Sequence, residues 1–177
     1  MKYLLSIISF NFLLAGEIKI VSEKYLMDQF TNNTNFKMHI LELDKKIIKL
    51  VQNKAKQKFH RDKLYYWNIS RGDSTIAFAF LDNVIGKSMP ITFMVILGNN
   101  GEIINTTIIK YREPYGGEIK HTGWLAQFNN RNNKSSYKVG KDIDGITGAT
   151  ISVNSISKGI HKITILYPLI KDQLINE

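Results

Sequence analysis

Ile91-Thr92-Phe93-Met94-Val95-Ile96-Leu97, then Gly98-Asn99-Asn100-Gly101, then Ile103-Ile104-Asn105-Thr106-Thr107-Ile108-Ile109-Lys110-Tyr111: two runs dense in β-branched and aromatic residues flank four turn formers. Branching at Cβ costs a helix rotamer freedom and suits a pleated surface, so both runs read as strands. The Asn-Gly pair readily takes the positive φ angles of a tight hairpin turn, and so short a connection makes the strands antiparallel. Upstream, Leu64 to Ile69 and Thr75 to Leu81 have the same texture, and Phe36, Met38 and Ile40 alternate as a short strand does. The long apolar runs predict central strands covered on both faces.

The cover comes from helices. Asp44 reads as an N-cap, and Ile47, Ile48, Val51 and Ala55 follow at helical spacing, with Lys45, Lys46, Lys49, Lys54, Lys56 and Lys58 around them. Near the end, Ile156, Ile160, Ile163, Tyr167, Ile170 and Leu174 form one apolar stripe. Pro168 is expected to end or kink that helix, because its ring clashes with the Thr164 carbonyl. Ile18 to Phe30 reads equally as helix or strand, and Thr31 to Asn35 as a polar loop. Arg112 to Lys141 is loop-like, with a helical turn at Trp124 to Phe128. The expected fold class is α+β: a central, mostly antiparallel sheet with helices from the N- and C-terminal regions packed on it. A length of 177 residues suits one globular unit.

Composition narrows the function classes. The chain is 44% hydrophobic and 22% charged, enough apolar material for a core and too much for a disordered tail. It has no cysteine, which excludes disulfide scaffolds, thiolate metal sites and cysteine nucleophiles. A net charge of +9 favours anionic partners. Lys2, the mostly apolar stretch Leu4 to Ala15 and the small pair Ala15-Gly16 match a secretory signal peptide over 1–16. The expected organisation is therefore a leader at 1–16, an N-terminal extension with a basic helix at 17–63 and a main domain at 64–177. The mature protein is expected outside the cytoplasmic membrane, periplasmic or on that membrane's outer face.

Little in the chain resembles a catalytic constellation. His39, His60, His121 and His161 stand in no metal-ligand spacing, and no metal site is expected. Gly86-Lys87-Ser88 looks like the end of a phosphate-binding loop, but the first glycine of that motif would fall on Leu81. The informative run is Asp144-Gly145-Ile146-Thr147-Gly148-Ala149-Thr150-Ile151-Ser152. It reads as a glycine-containing turn opening a helix, where unpartnered N–H groups and the helix dipole attract an anion such as phosphate. Ordinary capping explains the same residues equally well.

Residues 144 to 152 also fill, without mismatch, the signature of the FMN-binding domain family: Asp, a small residue, any residue, Ser or Thr, Gly-Ala-Thr, any residue, Ser or Thr. The chain resembles that family, whose members include flavin subunits of sodium-pumping quinone reductase and of ferredoxin-linked membrane complexes. Tyr111-Arg112-Glu113-Pro114-Tyr115-Gly116-Gly117-Glu118 and Trp124-Leu125-Ala126-Gln127-Phe128 are similar to the Glu-Pro loop and Trp-Leu-x-Gln-Phe segment of a soluble exported subgroup. The similarity spans roughly 64 to 167.

The resemblance implies FMN esterified through its phosphate to the Thr150 hydroxyl, donated from FAD by a flavinyl transferase that recognises Asp144. It places Gly145, Thr147, Gly148 and Ala149 around the phosphate, with Lys158 assisting. Glu113, Tyr115, Gly116, Gly117 and Trp124 fall near the flavin ring, Tyr115 or Trp124 either stacking on it or serving as plain packing residues. The function implied is an extracytoplasmic flavoprotein electron carrier rather than a stand-alone catalyst, since the flavin supplies the redox chemistry. Its expected partners are the transferase and redox proteins, a membrane electron-transfer complex among them, and no nucleic acid. Two other readings stay open: a flavin-free secreted basic envelope or interaction module, and a noncovalent FMN reductase.

Overall fold

Five strands pair with their sequence neighbours to make an antiparallel meander in the order β1-β2-β3-β4-β5. They are β1 (Asn35–Glu42), β2 (Lys63–Arg71), β3 (Ser74–Ile85), β4 (Pro90–Gly98) and β5 (Ile103–Lys110). The computed structural model describes residues 2–31 and 33–175, with side chains from residue 16 onward. Four helices accompany the sheet: α1 (Lys2–Gln29), α2 (Lys45–Ala55), the short α3 (Thr122–Leu125) and α4 (Thr150–Ile175). This is the α+β architecture that the strand and helix patterns predict.

Alternation along the strands divides the core in two. Tyr66, Phe78, Phe80, Phe93, Val95 and Leu97 point to one face, where they pack with Val51 of α2 and with Val153, Ile156, Ile160 and Ile163 of α4. Trp67, Ile69, Ala77, Ala79, Met94 and Ile96 point to the other, beneath Leu26 of α1. Helix α4 lies tight against the sheet at Gly159, where a Cβ would stand 2.7 Å from Val84 Cγ1 and 3.0 Å from Phe93 Cζ. Any side chain there would push the helix off its strands.

The region that read equally as helix or strand, 18 to 30, is helical through Gln29 and continues α1. Its partners settle the matter. Glu17 pairs with Lys110 of β5 at 2.7 Å, Glu23 accepts from the Trp67 indole at 3.3 Å and Gln29 accepts from Asn105 at 2.7 Å. The side chains of the expected leader, up to residue 15, lie outside the described residues, as does Asn32 of the expected polar loop. Among the described residues no helix is long and apolar enough to cross a membrane.

Other local expectations can be checked directly. The Asp44 side chain accepts from the N–H groups of Lys46 and Ile47 and so caps α2. The turn between β4 and β5 is closed by Gly101 N–H donating to the Gly98 carbonyl at 2.8 Å. Gly101 takes φ +81°, while Asn100 does not adopt the positive φ expected of the pair. Of the two outcomes expected at Pro168, an end or a kink, the end does not occur, since α4 runs on to Ile175. Pro168 is exposed, and buried Ile170 and Leu174 beyond it keep the last turns on the core. That packing outweighs one missing hydrogen bond.

Candidate functional site

The run 144–152 is not sealed in the core. It forms an open turn leading into α4, with Asp144, Gly145, Thr147, Gly148 and Thr150 exposed and Ala149 and Ser152 buried. Ala149 N–H donates to the Ile146 carbonyl at 3.0 Å, closing the turn, and the Ala149 carbonyl accepts from Val153 N–H at 2.9 Å, starting the helix. Thr150, Ile151 and Ser152 are thus the first three helical residues, whose N–H groups have no partner within a helix. No side chain among the described residues caps them. Gly148 takes φ +80°, and a Cβ at either Gly145 or Gly148 would meet nothing within 4 Å.

Three other segments converge on this turn. The loop after β5 brings Gly116 against it: a Cβ there would lie 2.8 Å from Ala149 Cβ and 3.3 Å from its Cα, at φ +76°. Only glycine allows this contact, on both steric and conformational grounds. Tyr111 shapes the same loop by donating its hydroxyl to the Tyr115 carbonyl. The third segment is the β3–β4 turn, where a Cβ at Gly86 would come 2.6 Å from Glu113 Oε1 and 3.1 Å from Ser152 Oγ.

Glu113 holds that turn. Its Oε1 accepts from the N–H groups of Ser88 at 2.7 Å and Met89 at 2.8 Å, and its Oε2 from the Ser88 hydroxyl at 3.1 Å. The Met89 and Ser88 N–H groups hold its carboxyl below the usual carboxylate range. Glu113 is therefore a clamp between loop and turn, with its oxygens committed to protein donors. Tyr115 is 82% exposed beside it, an aromatic surface facing solvent.

The fourth segment is α3 with the helical turn 126–128. Trp124 is buried and packs edge-on against Phe128 at 5.3 Å, with its indole N–H donating to the Asp144 carbonyl at 2.9 Å. Gln127 Oε1 accepts from Asp144 N–H at 2.9 Å. Together they fix the Asp144 backbone and leave its carboxylate outward, without a hydrogen bond among the described residues. Trp124 thus packs within the fold beside Phe128. Arg131 extends the support, donating to the carbonyls of Gln127, Ser136 and Asp142.

The structure thus gathers Thr150, Asp144, Gly145, Thr147, Gly148 and Ala149 with Glu113, Tyr115, Gly116, Gly117 and Trp124 on one corner of the sheet. Lys158 does not join them, since it lies eight residues along α4, roughly 12 Å from Thr150. Lys120 takes its place near the loop: its Nζ lies 4.0 Å from where a Gly117 Cβ would be. Sequence reasoning included Tyr111 and Gln127 in motifs but gave them no role, and it did not place the β3–β4 turn at the site. Gly86-Lys87-Ser88 was the available signal, as a turn formed by the glycine rather than a phosphate loop.

An anionic group with a neighbouring planar ring suits this corner. Donor N–H groups open the helix, the Thr150 hydroxyl is accessible, two glycines leave space and an exposed aromatic stands opposite. The FMN-binding domain family model matches residues 86–164. The match begins at the clamped β3–β4 turn and ends inside α4, so it takes in every segment that meets at the site. It is narrower than the 64–167 implied by the motifs, leaving all of β2 and β3 outside. No curated protein matches the chain. The match supports FMN as the cofactor, and over residues 86–164 this chain is similar to the FMN-binding domain family.

Proposed function

We propose that this protein is an extracytoplasmic electron carrier whose FMN is joined to Thr150 through a phosphodiester bond. The observation that carries the reading is the exposed Thr150 side chain on the uncapped first turn of α4, held against the Gly116 loop. A tether keeps a cofactor at its site where dilution outside the cell would otherwise remove it. FMN, when bound, supplies the electron chemistry. The chain positions it.

Each residue has a part in that positioning. The N–H groups of Thr150, Ile151 and Ser152 neutralise phosphate charge at the positive end of the helix dipole. Lys120 adds a cation near the loop. Tyr115 offers a face for the ring, and Gly116 lets the loop close on Ala149. Asp144, its backbone pinned by Trp124 and Gln127, presents a free carboxylate to the transferase. In the attachment, Thr150 Oγ1 loses its proton and bonds the phosphorus nearer the flavin of FAD. The pyrophosphate bond to AMP breaks, and AMP leaves with the bridging oxygen. With FMN held there, the open site would leave the cofactor within reach of neighbouring redox proteins.

Coexpression with a flavinyl transferase tests this. The intact mass is expected to rise by FMN less one water, with flavin remaining in an acid-precipitated pellet. Thr150→Val is expected to lose both signals while still folding. Flavin held covalently by that variant would overturn the Thr150 assignment, and flavin released into the acid supernatant would identify noncovalent binding.

A further inference from the structure

The basic helix has no part in the flavin site. Between residues 45 and 63 the chain places eight Lys and Arg residues against a single acid, Asp62, while the Asp44 carboxylate before them is engaged in capping α2. Lys45, Lys46, Lys49, Lys54, Lys56 and Lys58 are exposed, and none is ion-paired among the described residues. Of the eight, Lys63 is paired, with Glu42 at 2.8 Å. The unpaired lysines therefore form one surface of uncompensated charge.

That surface is not purely polar. At 100° per residue, Lys45, Lys46, Lys49, Leu50 and Lys54 share the outward half of α2, opposite buried Val51 and Ala55. Leu50 is 43% exposed and sits in a row between Lys46 and Lys54, four residues to either side. Beside the helix opens a cleft of about 610 Å³, lined by apolar Ile48, Phe59 and Tyr65 and by charged Arg61, Asp62 and Lys63. Cations around exposed apolar groups match the boundary of an anionic bilayer, where lysine stems lie along lipid and the ammonium groups reach phosphate. A uniformly acidic protein surface would satisfy the charges and leave Leu50 and the apolar cleft residues without a partner.

We propose that the outward face of α2 and the adjoining cleft dock on an anionic phospholipid surface. This inference is independent of flavin attachment. The test is cosedimentation of the full chain with vesicles of phosphatidylcholine alone and of phosphatidylcholine mixed with phosphatidylglycerol. A triple substitution on α2 separates the helix from the N-terminal stretch, whose Lys2 is also cationic. Wild type is expected to favour the anionic vesicles by about tenfold or more, and high salt to erase the preference. Lys46→Glu/Lys49→Glu/Lys54→Glu is expected to bring the ratio to one with an unchanged circular dichroism spectrum. Leu50→Ser is expected to weaken anionic binding while leaving the salt dependence intact. Equal wild-type binding to both vesicles, or a preference that survives the triple substitution, would overturn the proposal. So would tight binding to polyglutamate with no vesicle preference, which would make the face a protein-docking surface.

Discussion

Gly116 and Glu113 show how single residues hold this site together. A methyl at Gly116 has no room, because Ala149 stands 2.8 Å from where it would go, and φ is +76°. Gly116→Ala is expected to cost about 1–3 kcal/mol, lowering the melting temperature by roughly 2–4 °C per kcal/mol in a chain of this length. The melt and the yield of attached flavin are expected to fall together, and an unchanged melt would show that the loop does not rest on Ala149. Glu113 makes a prediction about pH. Its folded-state carboxyl titrates below the ordinary carboxylate value, chiefly through the Met89 and Ser88 N–H groups. The stabilisation is therefore complete above the ordinary carboxylate value and is lost as pH falls through the depressed one. Comparing melts of wild type and Glu113→Gln should show a gap at neutral pH that closes in acid. A gap that stays constant would contradict the clamp.

Between elements, the most informative contact is a buried charge. Lys162 of α4 is fully buried, and its Nζ meets Asp82 Oδ2 of β3 at 2.7 Å and donates to the Lys58 carbonyl at 2.8 Å. The same ammonium lies 4.2 Å from the centre of the Phe59 ring. One cation thereby ties α4, β3 and the chain beyond α2. Buried pairs are balanced against desolvation, so their loss is felt mainly through the partner left behind. Lys162→Met strands Asp82 and is expected to cost about 3–5 kcal/mol, read as a lower urea midpoint. Adding Asp82→Leu is expected to recover most of that loss. If the single variant unfolds at the wild-type midpoint, the pair contributes nothing to the docking of α4.

For the whole molecule, the second face of the sheet depends on α1. Leu26 is fully buried over Trp67, Ala79 and Met94, and burying one such side chain contributes about 1.5–3 kcal/mol. A chain starting at residue 17 keeps these contacts and is expected to melt cooperatively. One starting at residue 30 exposes the apolar face and is expected to bind a hydrophobic dye and aggregate. Equal melts for the two would mean that α1 is not needed as cover.

The elements legible in the sequence depend on residues near one another. Strand texture, the Asp44 cap, the β4–β5 turn and the run 144–152 all follow from side-chain branching, periodicity and local hydrogen bonding, which a few neighbouring residues determine. What required the tertiary structure involves residues far apart in the chain. Glu113 finds its donors at Ser88 and Met89, Gly116 meets Ala149, and α1 chooses helix by packing across β2 and β5. The helix beyond Pro168 persists because Ile170 and Leu174 are buried by the rest of the fold. Local preferences amount to fractions of a kcal/mol per residue and shape segments, whereas burial of distant partners is worth several times more and decides how the segments meet.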